Sequence, residues 1–169
     1  MSGKEPVVKA NQFLQVCVVV NDLQKAMERY WNLFGIGPWR IYNYAPPYLT
    51  NTTVRGAEVT FSMKLAVAQI GAVEWELVEP MEGPSIYKEF MAQKGEGLHH
   101  VAFDVDDFDE AVSALAGDGI SIQMSGTTQA GNSFAYMDTE KDIGAIVELF
   151  KRPEGWQRPP PDATWPPQE

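Results

Sequence analysis

The chain carries a copy of itself. Residues 15–22, QVCVVVND, align with residues 100–107, HVAFDVDD, and the spacing of 85 positions (15 to 100) continues into the next segment, where Ala26 corresponds to Ala111. A second match sets VEWELVEP around Glu76 against AIVELFKRP around Glu148, 72 positions apart (76 to 148). The two spacings differ by the length of a loop. A unit written twice folds as a supersecondary module that buries its apolar face against its twin, so the duplication constrains architecture before any local propensity is weighed.

Each copy reads as strand, helix, then three strands. In the first, FLQVCVVV at 13–20 is β-branched and apolar enough for a buried strand. Asn21 and Asp22 offer N-caps to a helix in which Leu23, Ala26, Met27, Tyr30, Trp31 and Phe34 recur at helical spacing, and Gly35 stops it. Strands are predicted at WRIYNY, 39–44, then around 59–67 and at 72–78. In the second copy LHHVAFDV is the strand, Asp106 and Asp107 precede the helix FDEAVSALAGDG, and strands are predicted near 120–124, 133–138 and 145–150. A short helix starting near Ser85, behind Pro84 and closed by Gly95, links the halves.

The chain therefore divides into an N-terminal extension (1–12), a first module (13–80), a linker with its short helix (81–97), a second module (98–152) and a tail (153–169). The closing stretch RPEGWQRPPPDATWPPQE is so rich in proline that neither sheet nor helix is expected of it. An extended path, draped over a partner surface or loose, is the expectation.

The net charge of −10, with 13 Lys and Arg spread along the chain, leaves no basic stripe to neutralise phosphates and argues against nucleic acid as a partner. No apolar run reaches the roughly 20 residues that cross a bilayer, and MSGKEPVVKANQF lacks the apolar core of a secretory signal. A cytoplasmic protein without membrane contact is expected. Cys17, the single cysteine, lies in an apolar run and reads as a small buried hydrophobe without a catalytic role.

Four polar residues interrupt strands that otherwise read as core: Gln15, Glu76, His100 and Glu148. They stand at equivalent places in the two copies, so packing about a pseudo-two-fold axis brings all four toward one point. An ionised carboxylate inside a strand is expensive unless it is paired or bound to a cation. An imidazole, an amide oxygen and two carboxylates suit a six-coordinate divalent ion, Mg²⁺, Mn²⁺, Co²⁺ or Ni²⁺, better than a tetrahedral structural zinc. On this basis His100 is a ligand, and His99, one residue along, points to the other face of the strand. The alternative is a hydrogen-bonded core histidine with glutamates turned to water.

The openings VVVNDLQKAMERYWNLFGIGPW and WELVEPMEGPSIYKEF, followed by GEGLHHVAFDVDD and DTEKDIGAIVELF, resemble in order the vicinal oxygen chelate superfamily, in the branch near glyoxalases and methylmalonyl-CoA epimerase. The resemblance spans roughly residues 13 to 152. It implies an α+β fold of paired βαβββ modules forming a cupped mixed sheet, with a metal held through Gln15, Glu76, His100 and Glu148, and commonly a homodimer. Gln at the first position is found among glyoxalases and departs from the histidine of the extradiol dioxygenases.

The chemistry so implied is removal and return of a proton next to a carbonyl through an enolate, with Glu76 and Glu148 as base and acid. One departure concerns the substrate. Where methylmalonyl-CoA epimerases carry an acidic residue ahead of the third strand, this chain has YLTNTTVRGAEV, with Thr53 and Val54 at that place and Glu58 displaced.

Trp39, Tyr42, Tyr44, Tyr48, Phe61, Trp75 and Tyr136 are expected on or near the strands that line the cup. An aromatic cavity with few cations favours a flat, uncharged aromatic ketone, and the resemblance extends to racemases of the isoflavanone dihydrodaidzein. The alternatives are an acyl-CoA epimerase of methylmalonyl-CoA type, a non-catalytic protein that traps an aromatic ligand, as resistance members of the superfamily do, and a lyase of glyoxalase type.

Overall fold

The internal copy becomes a pair of abutting strands. β1 (Ala10–Val19) runs antiparallel to β7 (Gly97–Val105), with Gln15 level with Ala102 and Cys17 level with His100. The computed structural model describes residues 5–167, so positions 1–4 of the N-terminal extension and 168–169 of the tail lie outside the described residues. Between the two seam strands come α1 (Leu23–Phe34), β2 (Trp39–Tyr44), β3 (Leu49–Val54), β4 (Ala57–Glu58), β5 (Met63–Ile70), β6 (Val73–Pro80) and α2 (Ile86–Lys94). After β7 follow α3 (Phe108–Gly117), β8 (Ile122–Thr128), β9 (Ser133–Met137), α4 (Glu140–Ile143), β10 (Ile146–Lys151) and β11 (Ala163–Trp165).

These strands form one 11-stranded mixed sheet in the order β11-β2-β5-β6-β1-β7-β10-β9-β8-β3-β4. Outward from the seam, the first half reads β6, β5, β2 and the second β10, β9, β8. β6 runs parallel to β1, as β10 does to β7. The seam is thus a pseudo-two-fold, and the fold is the α+β cup of paired modules.

Helices α1 and α3 cover the outer face, each over its own half. Asp22 caps α1 by accepting from the Lys25 backbone N–H at 3.0 Å, and Gly35, at φ 67°, closes it in the left-handed region. Leu23 and Met27 then bury against Val18, Trp39, Ala66 and Leu77. The α3 side buries Ala111 against Val105, Ala135, Val147 and Leu149. The inner face holds Cys17, Val19, Tyr42, Tyr44, Leu65, Phe134 and Tyr136, with Ile86 and Tyr87 of α2 packed into it. No described helix is long and apolar enough to cross a membrane.

Three expectations are corrected. The strand expected around 59–67 begins only at Met63: the chain first completes the β3–β4 hairpin at Glu58, which adds to β8 at the edge of the other half, and residues 59–62 then connect the hairpin to β5. Its two-residue turn, Arg55 at φ 49° and Gly56 at φ 78°, has the left-handed pair that matches strand twist. The N-terminal extension contributes its last residues to β1.

The tail is not free of sheet either. Its proline-free triplet Ala163–Trp165 keeps the backbone N–H groups a ladder needs and pairs antiparallel with the edge strand β2. Asp162 secures the join by accepting from the backbone N–H and the side-chain Nδ2 of Asn43, at 2.7 and 2.9 Å. From β10 to β2 the chain passes over the inner face of the first half.

Candidate functional site

Alternation along β1 turns Gln15 and Cys17 to the inner face, and strand register brings two glutamates alongside. Cys17 is level with Glu76 on β6 and with His100 on β7, while Ala102, the copy of Cys17, is level with Glu148 on β10. The seam's two-fold therefore exchanges Gln15 with His100 and Glu76 with Glu148. All four are buried, between 2% and 6% exposed.

They meet. The Gln15 amide Nε2 donates to Glu76 Oε2 at 2.7 Å and stands 3.4 Å from His100 Nε2. The same imidazole nitrogen is 3.1 Å from Glu148 Oε2 and 3.6 Å from Glu76 Oε2. Burial first, and then repulsion from Glu148, push the Glu76 carboxyl well above the ordinary carboxylate range, and burial does the same to Glu148. Burial pushes His100 down to about 3.

Glu148 Oε2 has no hydrogen-bond partner, because its close approach to His100 lacks hydrogen-bond geometry. An orphaned carboxylate oxygen, buried beside a ring nitrogen and a second carboxyl, is the environment a divalent cation relieves. The imidazole and the two carboxyls fit such an ion, and Gln15, whose Nε2 here donates to Glu76, would join them by turning its amide oxygen inward. Cys17 also reaches this point: its sulfur, a Glu76 oxygen and a His100 nitrogen lie within 4.8 Å of one another. Burial and then the Glu76 charge push its thiol well above the usual value, so it stands there as a neutral group. The sequence expectation of a packing residue alone misses this, although its place two residues after Gln15 puts it on the same face.

His99 does not turn to the opposite face. Cys17 pairs with His100 and Val18 with Leu98, which leaves His99 as the extra residue of a β-bulge. Both imidazoles consequently lie against Tyr87, at 4.9 and 6.3 Å between centroids, and against Tyr136, at 6.3 and 4.8 Å. Tyr87 and Tyr136 share a 2.6 Å hydroxyl contact.

A void of about 30 Å³ opens beside the four residues, lined among others by Tyr44, Phe134, Tyr136, Phe150, Trp156 and Arg158. Tyr42 and Phe61 are buried on the inner face and Tyr48 packs on Tyr44, but none of the three lines this void. Trp39 and Trp75 are on the wrong side for a pocket. They pack on Tyr30 of α1, at 6.1 and 5.7 Å, because alternation sends Trp39 opposite to Tyr42 and Trp75 opposite to Glu76.

Expecting few cations in the cup also proves incorrect. The crossing tail brings Arg158 down onto Glu74 in an ion pair and over the Tyr42 ring at 5.7 Å. Arg152, at the foot of the tail, lies over Phe150 and Trp156 at 4.9 and 5.0 Å. Both arginines line the mouth of the void. A proline-rich tail gave no sign in sequence of where it would lie.

Comparisons with known proteins agree with this architecture. Bacillus subtilis (strain 168) protein YqjC is 28% identical over 149 residues, covering 87% of this chain and 96% of its own. The hypothetical protein BH1468 from Bacillus halodurans C-125 superposes with a TM-score of 0.67 at 20% identity, over 89% of this chain and 100% of the other. A variant of Streptomyces coelicolor methylmalonyl-CoA epimerase in complex with 2-nitronate-propionyl-CoA gives 0.63 at 20% identity, over 89% and 100%. The family profile matches residues 14–136, which takes in more than half of β1 and all of β7 with Gln15, Glu76 and His100, and ends ahead of Glu148. The chain belongs to the Glyoxalase/Bleomycin resistance protein/Dioxygenase superfamily.

Proposed function

We propose that the protein is an isomerase that inverts a carbon next to a carbonyl by removing its proton and returning one to the opposite face. The observation that carries this is the pair Glu76 and Glu148, related by the seam's two-fold and set 3.6 and 3.1 Å from one imidazole nitrogen. Inversion needs a group on each side of the carbon, one to take the proton and one to give it back. A raised carboxyl pKa brings each closer to the working pH of such transfers.

Gln15, Glu76, His100 and Glu148 would hold a divalent ion, Mg²⁺, Mn²⁺, Co²⁺ or Ni²⁺. When bound, it supplies positive charge against the negative charge that develops on the carbonyl oxygen. Glu58, the acidic residue nearest the epimerase position in sequence, is exposed on the edge hairpin, which leaves the proton work to the two buried glutamates. The tail supplies the lid of the site. The void beneath it has room for a water or an ion, and a substrate reaches the carboxylates when the tail moves off the mouth.

Arg152 and Arg158 at that mouth support an acidic acyl thioester of the kind methylmalonyl-CoA epimerases act on. A second substrate class, an uncharged aromatic ketone such as an isoflavanone (dihydrodaidzein), is supported by the rings of Tyr44, Phe134, Tyr136 and Phe150 around the void. The family expectation of a homodimer belongs to the same proposal.

Proton exchange in D₂O separates these. With Co²⁺ present, methylmalonyl-CoA and single-enantiomer dihydrodaidzein are each incubated with the protein and followed by NMR and chiral chromatography. The expected result is catalytic loss of the α-proton signal with inversion for one class. Stoichiometric capture of either compound without exchange would overturn the proposal and leave a binding protein.

A further inference from the structure

His99 Nδ1 and His100 Nδ1 stand 3.0 Å apart, with a single proton to share between two neutral rings. One ring donates and the other accepts, and the choice decides what His100 presents to the site. If His99 donates, His100 carries its own proton on Nε2; if His100 donates, its Nε2 is a bare lone pair.

The surroundings of Nε2 discriminate. The atom 3.4 Å away is the Gln15 amide nitrogen, a donor, fixed in that orientation by its bond to Glu76 Oε2. Glu148 Oε2, an acceptor only 3.1 Å off, receives no hydrogen bond from the ring. A proton on Nε2 would face the donor and miss the acceptor. A lone pair there is compatible with both.

We propose that His99 is a positioning residue: its Nδ1 accepts the Nδ1–H of His100 and locks His100 in the tautomer whose Nε2 lone pair faces Gln15, Glu76 and Glu148. The bulge makes this contact, since it places consecutive side chains of one strand on the same face. His99 is itself held by tilted and edge-on ring contacts, 4.9 Å from Tyr87 and 5.1 Å from Phe90, and the Ile86 backbone offers its ring a further hydrogen-bond acceptor. Metal-binding imidazoles depend on such a partner to fix ring and tautomer. The link to metal rests on the site proposed above; the tautomer does not.

The test uses the chain's having two histidines and no more. Protein labelled with ¹⁵N-histidine, free of metal, gives two sets of long-range ¹H–¹⁵N correlations, one for each ring. His100 is expected as the Nδ1–H tautomer and His99 as Nε2–H. His100 protonated on Nε2, or on both nitrogens, overturns the proposal.

Two variants extend it. His99→Phe keeps an aromatic ring and removes the acceptor; His99→Asn puts Oδ1 in the place of Nδ1. Titrated with Co²⁺ alone, His99→Phe is expected to bind about 10- to 100-fold more weakly, and His99→Asn to recover most of that loss. Equal weakening in both variants would contradict a role through the Nδ1 contact. Failure of the wild type to bind Co²⁺ would overturn the metal site and leave the tautomer result standing.

Discussion

Gln15 and His100 are the same position of a duplicated strand, and their Nε2 atoms meet 3.4 Å apart across the seam between β1 and β7. The duplication thus builds the site as well as the cup. It supplies two equivalent carboxyls, then differentiates the pair between them into an amide and an imidazole. Cys17, opposite His100, is a second asymmetry, since the copy carries Ala102.

The buried glutamates give the metal-free protein an unusual pH response. A carboxyl whose folded pKa is raised binds its proton more tightly when folded, so its stabilising contribution is complete below the unfolded value of 4.5 and is lost as pH rises through the folded value. Urea unfolding in chelator is expected to show the wild type losing stability as pH rises from 4.5 to about 8, relative to Glu76→Gln/Glu148→Gln, with added Co²⁺ restoring it. Parallel pH profiles for the two proteins would contradict this.

The Cys17 thiol lies within reach of a bound ion but has no counterpart in the copy. Cys17→Ala, which restores the symmetry, is expected to leave Co²⁺ affinity within about threefold, well short of the 10- to 100-fold seen when a supporting partner is lost. The wild-type cobalt spectrum is expected to lack a sulfur-to-metal charge-transfer band. Such a band would place the thiolate among the ligands.

Much of this was legible from parity and repetition. The offset of 85 fixed the seam, and QVCVVV beside HVAFDV fixed which positions face inward. The same parity places Trp39 and Trp75 outside, because Tyr42 and Glu76 are inside; grouping the aromatics by composition hid that. The β3–β4 hairpin was not legible, since Arg55-Gly56 is not among the common turn pairs and its partner strand is β8 of the other half. The bulge at His99 and the path of the tail depend on long-range packing that no local pattern encodes.

Trp39 belongs to the outer core, fully buried under α1. Trp39→Phe is therefore expected to lower stability by on the order of 1–3 kcal/mol through lost apolar burial, while KM for the accepted substrate stays unchanged. Chemical denaturation and steady-state kinetics check the two halves of the statement. A raised KM with unaltered stability would return Trp39 to the pocket.

The tail is latched at its far end by Asp162 on Asn43 and by the short β11 pairing. Asp162→Ala is expected to speed chymotryptic cleavage after Trp156 severalfold without changing the cleavage of the rest of the chain. Unchanged cleavage would show that the Arg158–Glu74 pair and β11 hold the tail alone.

The two-carboxylate site is tested most directly by following each enantiomer of the accepted substrate in D₂O with Glu76→Gln and Glu148→Gln separately. Inversion is expected to be lost in both variants, while each keeps exchange with one enantiomer, and the two variants keep opposite ones. Retained inversion in either variant, or exchange lost alike for both enantiomers, would contradict a proton taken by one glutamate and returned by the other.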